Sequence, residues 1–131
     1  LTLFVATKAQ ATFGPNQSEL KLGRFGFGRA KIIDLKPGMV FASADPVAVE
    51  SFAFAVLMDT IKRLTFFSKL YQNLILFSNK NVTKFDKIPV RKQTFIQHAI
   101  AIGLGEMSDM IQYNNIPVTL QNRLNNYFND G

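Results

Sequence analysis

The stretch that decides the fold is Met39–Val49, which reads Met-Val-Phe-Ala-Ser-Ala-Asp-Pro-Val-Ala-Val. Its first part, Met39–Ala42, is an apolar run of strand length that ends at Ser43, and a second apolar run begins at Val47. Asp45 and Pro46 lie between the two runs. An aspartate can cap the free N–H groups of a first helical turn, and proline suits the first helical position because no N–H is needed there. The sequence therefore predicts a buried strand that leads directly into a buried helix.

Apolar spacing predicts further elements on both sides of this stretch. We expect short strands at Leu1–Val5, Lys31–Leu35 and Met110–Tyr113, with a Pro37-Gly38 turn before the Met39–Ser43 strand. We expect helices from Pro46 to about Met58, over Ile61–Ile75, over Lys92–Ile102 and after Pro117. Gly103 suits the left-handed position that ends a helix, with Leu104 folding back onto its last turn.

These elements predict one α/β domain over residues 1–131, with a small, partly parallel sheet and packed helices. In open sheets of parallel strands, ligands gather at the carboxyl ends of the strands, so Asp45 marks the expected site. Leu1 is not an initiator methionine and already begins a strand-like run. We therefore expect this chain to be a fragment of a longer protein.

Composition narrows the possible chemistry. The 131 residues contain no cysteine and one histidine, so disulfides, thiolate zinc sites and cysteine-bound iron–sulfur clusters are excluded within this chain. The net charge of +6 favours an anionic partner, but no nucleic-acid motif accompanies it, so nucleic acid is not the expected partner. No apolar run reaches the ~18 residues of a membrane span, and no signal peptide precedes the first strand. We expect a cytoplasmic protein.

Three side chains are candidates for catalysis. Asp45 and Glu50 could bind a hard cation or act as acid and base, and Asp45 is the candidate metal ligand. The alternative is that Asp45 caps the helix and Glu50 is a charge in its first turns that the helix dipole favours. His98 falls outside the apolar stripe of its predicted helix, which favours a surface position over a catalytic one.

A glycine-rich stretch between the first two predicted strands is the candidate anion site. Backbone N–H groups in such a loop can cradle a phosphate, and two arginines flank the glycines. The alternative is a glycine-rich turn with solvated arginines. The candidate ligand- or anion-binding residues are Gly14, Pro15, Arg24, Gly26, Gly28 and Arg29.

Three pieces of the sequence together resemble a known family. They are Ser-Ala-Asp-Pro-Val-Ala-Val-Glu at Ser43–Glu50, Gly-Leu-Gly-Glu at Gly103–Glu106, and Gly14-Pro15. The combination is similar to the C-terminal half of the bacterial and archaeal proteins that share domain of unknown function 362. The resemblance covers roughly residues 1–113 and implies an α/β fold.

The same resemblance implies a redox setting, because members often carry ferredoxin-like cysteine segments. Any iron–sulfur cluster would then lie elsewhere in the full-length protein, and the missing N-terminal half would be a partner. Two functions stay open. The first is the ligand-binding or catalytic half of a redox-associated protein, which could take a small anionic ligand. The second is a non-enzymatic interaction module whose basic surface binds an anionic partner.

Overall fold

The fold is known from a computed structural model, which describes residues 1–10, 32–64, 88–107 and 111–129. These residues form a mixed α/β arrangement. The strands are β1 (Thr2–Gln10) and β2 (Ile32–Ser43), and α1 (Pro46–Lys62) follows β2. A short 3-10 helix (Val90–Lys92), α2 (Thr94–Ala101) and α3 (Val118–Asn125) complete the order.

The two strands pair antiparallel, so the expectation of a partly parallel sheet is wrong for the described residues. Thr2 lies opposite Ser43, Ala6 opposite Met39 and Gln10 opposite Ile32. Parallel neighbours need a crossover connection, usually a helix. The sequence between β1 and β2 has no helical periodicity, and α1 leads to no further strand in the described chain. An antiparallel pair is the arrangement that this order of elements allows.

One continuous strand replaces the two short strands predicted at Lys31–Leu35 and Met39–Ser43. The Pro37-Gly38 pair lies inside β2 and does not form a turn between strands. Pairing with β1 shifts register between Ala6 and Lys8, where several β2 residues lie opposite one β1 residue. Because the extra residues bulge out of the ladder, pairing resumes on both sides of them.

The inner face of the sheet packs on α1. Met39 is buried on this face, whereas Val40, its neighbour along the strand, is 66% exposed on the other. Alternate strand residues point to opposite faces, which accounts for this contrast. The main core joins both strands, α1, the 3-10 helix and α3. Its buried members are Ala6, Leu35, Met39, Phe52, Ala55, Val56, Met58, Val90, Leu120, Leu124 and Tyr127.

Helix α1 is longer than predicted and is tied to α3 by charge. It runs to Lys62, so Ile61 belongs to its last turn and not to a separate helix; the rest of the predicted Ile61–Ile75 helix, beyond Leu64, lies outside the described residues. Asp59 is only 3% exposed and pairs with Arg123 of α3 at 3.0 Å. Arg63, one turn along α1, adds a second ion pair at 3.2 Å. A buried carboxylate needs such partners, so this cluster fixes α3 against α1.

The described residues of the C-terminal half are helical or irregular. Gly103 ends the region of α2 with a φ of +75°, as predicted. Its N–H donates to the carbonyl of Ile100, and the Leu104 N–H donates to that of Ala99, both at 3.0 Å. This pair of bonds is a Schellman motif. The Leu104 side chain is nevertheless 57% exposed, so its return towards the helix buries little apolar surface.

The predicted strand and helix near the C-terminus have different outcomes. The described part of the predicted Met110–Tyr113 strand, residues 111–113, is not a strand, whereas a helix does begin after Pro117. Within the four described segments, no helix has both the length and the apolar composition that a bilayer crossing needs.

Gly103→Ala should lower the free energy of unfolding by about 1 kcal/mol, because an L side chain is strained in the left-handed region. Gly38→Ala is the matched control. An added Cβ at Gly38 would meet its nearest atom, Thr7 Cγ2, at an ordinary 3.5 Å, and no left-handed φ is involved. Urea unfolding of both variants checks this, and equal stability of the two would contradict the role given to Gly103.

Candidate functional site

Asp45 caps α1, as the sequence predicts. Its Oδ1 accepts hydrogen bonds from the N–H groups of Val47 at 2.8 Å and Ala48 at 3.2 Å. The Asp45 backbone is extended, with φ −97° and ψ 114°, which is the geometry that an N-cap requires. Its own N–H donates to Ser43 Oγ at 3.0 Å, so the side chains of Ser43 and Asp45 together shape the turn between β2 and α1.

The second carboxylate oxygen of Asp45 reaches a distant segment. Oδ2 accepts a hydrogen bond from the N–H of Glu106 at 2.6 Å, across 61 residues of chain. Gly105 lies directly against the same carboxylate: a Cβ there would overlap Oδ1 and stand 2.9 Å from Cγ and 3.2 Å from Val47 Cγ2. Only glycine leaves room for this approach, because any other side chain would have to displace the carboxylate.

The Asp-Pro-Val-Ala and Gly-Leu-Gly-Glu motifs therefore meet in space. Both motifs carry the family resemblance in the sequence, but nothing in the sequence predicts that they touch. Amino-acid composition does not indicate this contact, because the hydrogen-bond donor is a backbone N–H, which every residue except proline carries. The glycine at Gly105 was the available clue, since glycine often marks a close approach of the backbone to another group.

A cavity of about 670 Å³ opens beside this junction. Its described walls come from β2, the first turns of α1, the segment after Glu106 (Met107 and residues 111–116), and the residues at and just beyond the end of α3. The volume falls in the usual range for a small-molecule site. The described lining residues are Pro37, Gly38, Met39, Val40, Phe41, Ala42, Ser43, Ala48, Val49, Phe52, Met107, Ile111, Gln112, Tyr113, Asn114, Asn115, Ile116, Leu124 and Phe128.

Four aromatic rings in this lining form one cluster around Phe52. Phe41 meets Phe52 edge to face, with ring centroids 4.4 Å apart. Tyr113 lies 6.0 Å from Phe52 at a tilt, and Phe128 lies 6.1 Å away with its plane turned by only 15°. These are favourable aromatic arrangements, so the rings hold one another in place.

Tyr113 carries the cluster's polar group. Its hydroxyl donates to Asn125 Oδ1 at 2.7 Å, and Asn125 belongs to α3. Burial raises the pKa of the Tyr113 hydroxyl above its usual value of 10.0. Desolvation acts in this direction because a poorly hydrated environment penalises the charged phenolate.

The other sequence candidates do not join Asp45. Glu50 is exposed on α1 and His98 is exposed on α2, and neither lines the cavity. Among the described residues, no group of three or more His, Asp or Glu side chains is placed to hold a metal ion. The six anion-site candidates, Gly14, Pro15, Arg24, Gly26, Gly28 and Arg29, lie outside the described residues.

The geometry assigns Asp45 a positioning role. Three backbone N–H groups point at its two oxygens, and together they join the start of α1 to the segment that forms one wall of the cavity. No protein-family model, curated protein or solved structure matches the chain. The resemblance to domain of unknown function 362 stays a prediction.

Asp45→Asn separates the two tasks of this carboxylate. An amide has one acceptor oxygen, so if it keeps the capping bonds, its NH₂ group faces the Glu106 N–H. We expect Asn to cost about 1 kcal/mol through the lost bond, and Ala to cost about 2 kcal/mol through loss of the cap as well.

The control is Glu50→Gln, which changes an exposed carboxylate on the same helix and should leave stability nearly unchanged. Chemical denaturation gives the free energies, and the amide resonance of Glu106 reports the broken bond. An Asp45→Asn variant with native stability and an unmoved Glu106 resonance would contradict the assignment.

Proposed function

We propose that this chain is a small-molecule binding domain whose ligand occupies the cavity between β2, α1 and the segment after Glu106. The single observation that carries the proposal is the cavity itself: about 670 Å³, walled by residues from both motif-bearing segments. Ser43, Ala48 and Val49 belong to the Asp-Pro-Val-Ala region, and Met107 directly follows the Gly-Leu-Gly-Glu motif. A site built where separate segments converge is typical of ligand binding.

The proposal follows the first of the two functions open from the sequence. The domain would be the ligand-binding half of a redox-associated bacterial or archaeal protein, and any iron–sulfur cluster would lie in another part of that protein. The resemblance to domain of unknown function 362 supports this setting. The convergence of its two motifs around one junction supports a shared role for them.

The described sheet does not place a site at the carboxyl ends of parallel strands. The rule that ligands gather there concerns open sheets of parallel strands, and β1 and β2 are antiparallel. The cavity instead runs along β2, from Pro37 to Ser43, and reaches the Asp45 turn at its end. The support for a site near Asp45 is therefore the cavity and not the topology of the sheet.

The alternative, a basic interaction module, has less support in the described residues. Arg63 and Arg123 are both paired with Asp59, and Lys8 lies 3.9 Å from the carboxylate of Asp34. Cations paired in this way contribute less to an attractive surface field than free ones. The described residues therefore favour the ligand-binding proposal over the interaction module.

The test is to fill the cavity without disturbing its walls. Ala48→Leu adds three carbon atoms to a partly buried lining position near the start of α1. Ala53→Leu makes the same change on the same helix, also at a partly buried position, but Ala53 does not line the cavity. Both substitutions keep good helix formers, so the helix itself should tolerate them.

The 131-residue chain would be screened by NMR against a panel of neutral aromatic, aliphatic, anionic and cationic fragments. We expect at least one fragment to shift the resonances of cavity residues such as Ala42 and Ile116. Ala48→Leu should weaken that fragment roughly tenfold or more, about 1.4 kcal/mol, while Ala53→Leu leaves its affinity unchanged. Failure of the entire panel to shift cavity resonances, or equal weakening by both variants, would overturn the proposal.

A further inference from the structure

We propose that the cavity selects an uncharged, flat aromatic ligand, which would stack against the ring cluster around Phe52. This inference rests on the proposed function and specifies the chemistry of its ligand. It depends on three properties of the described lining: its aromatic rings, its lack of charge and the position of its polar groups.

The rings supply the shape preference. Phe41, Phe52, Tyr113 and Phe128 all line the cavity, and each lies within aromatic contact distance of at least one other. Their mutual contacts fix the orientation of the ring faces and edges. A flat π-system can add to such a cluster by offset or edge-to-face stacking, which is worth more than its buried area alone. A saturated ring of the same size gains only the area term.

The lack of charge supplies the electrostatic preference. Every described residue of the lining is uncharged. The N-terminus of α1 does not offer a free anion site, because Asp45 Oδ1 already accepts from the first-turn N–H groups of Val47 and Ala48. A charged ligand would lose hydration in the cavity without meeting an opposite charge on any described lining residue. Burial likewise penalises the charged phenolate form of Tyr113, which raises the pKa of its hydroxyl.

The polar groups would orient the ligand. Gln112, Asn114 and Asn115 belong to the lining and are exposed, so their amides lie at the solvent-facing side. Tyr113 donates its proton to Asn125, which leaves its oxygen free to accept a further hydrogen bond. An aromatic ligand with one hydroxyl or amide group fits this arrangement, because its ring would contact the apolar lining and its polar group would lie at the solvent-facing side.

Four matched probes test the inference on the unmodified chain. They are 2-naphthol, decahydro-2-naphthol, 2-naphthoate and naphthalen-2-ylmethylammonium, compared at pH 7 by NMR titration. The first is neutral and flat, the second neutral and saturated, and the last two flat but charged. We expect 2-naphthol to bind in the cavity at least about fivefold more tightly than each of the others.

Equal or tighter binding of decahydro-2-naphthol would overturn the preference for an aromatic ligand. Equal or tighter binding of 2-naphthoate or naphthalen-2-ylmethylammonium would overturn the preference for an uncharged ligand. Both results would leave the proposed function standing, because a ligand would still occupy the cavity. Binding by none of the four probes also overturns the inference, but the proposed function fails only if the broader fragment panel gives no cavity shift either.

Removing one ring gives an independent check. Phe128→Leu keeps an apolar side chain and should weaken 2-naphthol about 2- to 10-fold, with less than a twofold change for the saturated alcohol. Phe54→Leu is the control, since Phe54 meets Phe95 edge to face, with ring centroids 5.1 Å apart, outside the described cavity lining. An equal loss for both probes on Phe128→Leu would contradict a stacking role. The four-probe comparison decides the inference even if this variant does not fold.

Discussion

The carboxylate of Asp45 accepts hydrogen bonds on both oxygens, and each oxygen serves a different part of the chain. Oδ1 takes two N–H groups at the start of α1, and Oδ2 takes the N–H of Glu106. The first two bonds fix where α1 begins after β2. The third fixes where the chain passes after α2. One side chain thus sets the relation between the strand, the helix that covers it and the segment beside them.

This arrangement accounts for glycine at Gly105 and for the location of the cavity. A Cβ at Gly105 would displace the carboxylate, so the close approach and the hydrogen bond to Glu106 depend on each other. Just beyond this junction, the chain forms one wall of the cavity, and β2 and α1 form the opposite walls. The ion pair of Asp59 with Arg123 acts further along α1, where it holds α3, whose Leu124 belongs to the lining.

Local signals were predictable from the sequence and long-range ones were not. Asp45 as a cap, the helix after Pro46 and the left-handed Gly103 each depend on a few adjacent residues, and all three are confirmed. The antiparallel pairing of β1 with β2 depends on how distant segments return to one another, and the prediction of a partly parallel sheet was wrong.

The residues of the candidate site also come together through long-range contacts that the sequence does not indicate. After Glu106, residues 111–117 form no strand or helix. No periodicity in their sequence indicates that Tyr113 packs in the same ring cluster as Phe41 and Phe52. The 13 phenylalanines of the chain favour an aromatic core, but their number does not indicate which rings line a cavity. In the described residues, the candidate site is a cavity with an uncharged, partly aromatic lining, whereas the sequence-based candidates for catalysis were titratable residues.

A double-mutant cycle between Asp45 and Gly105 tests most directly whether this carboxylate joins the two segments. Unfolding free energies would be measured for Asp45→Ala, Gly105→Ala and the double variant. If the Cβ at residue 105 acts by displacing the carboxylate, Gly105→Ala should cost at least about 1 kcal/mol less when Asp45 is already absent, within the range found for residues in contact. Costs that simply add, to within about 0.5 kcal/mol, would show that the two residues act independently and would contradict the account.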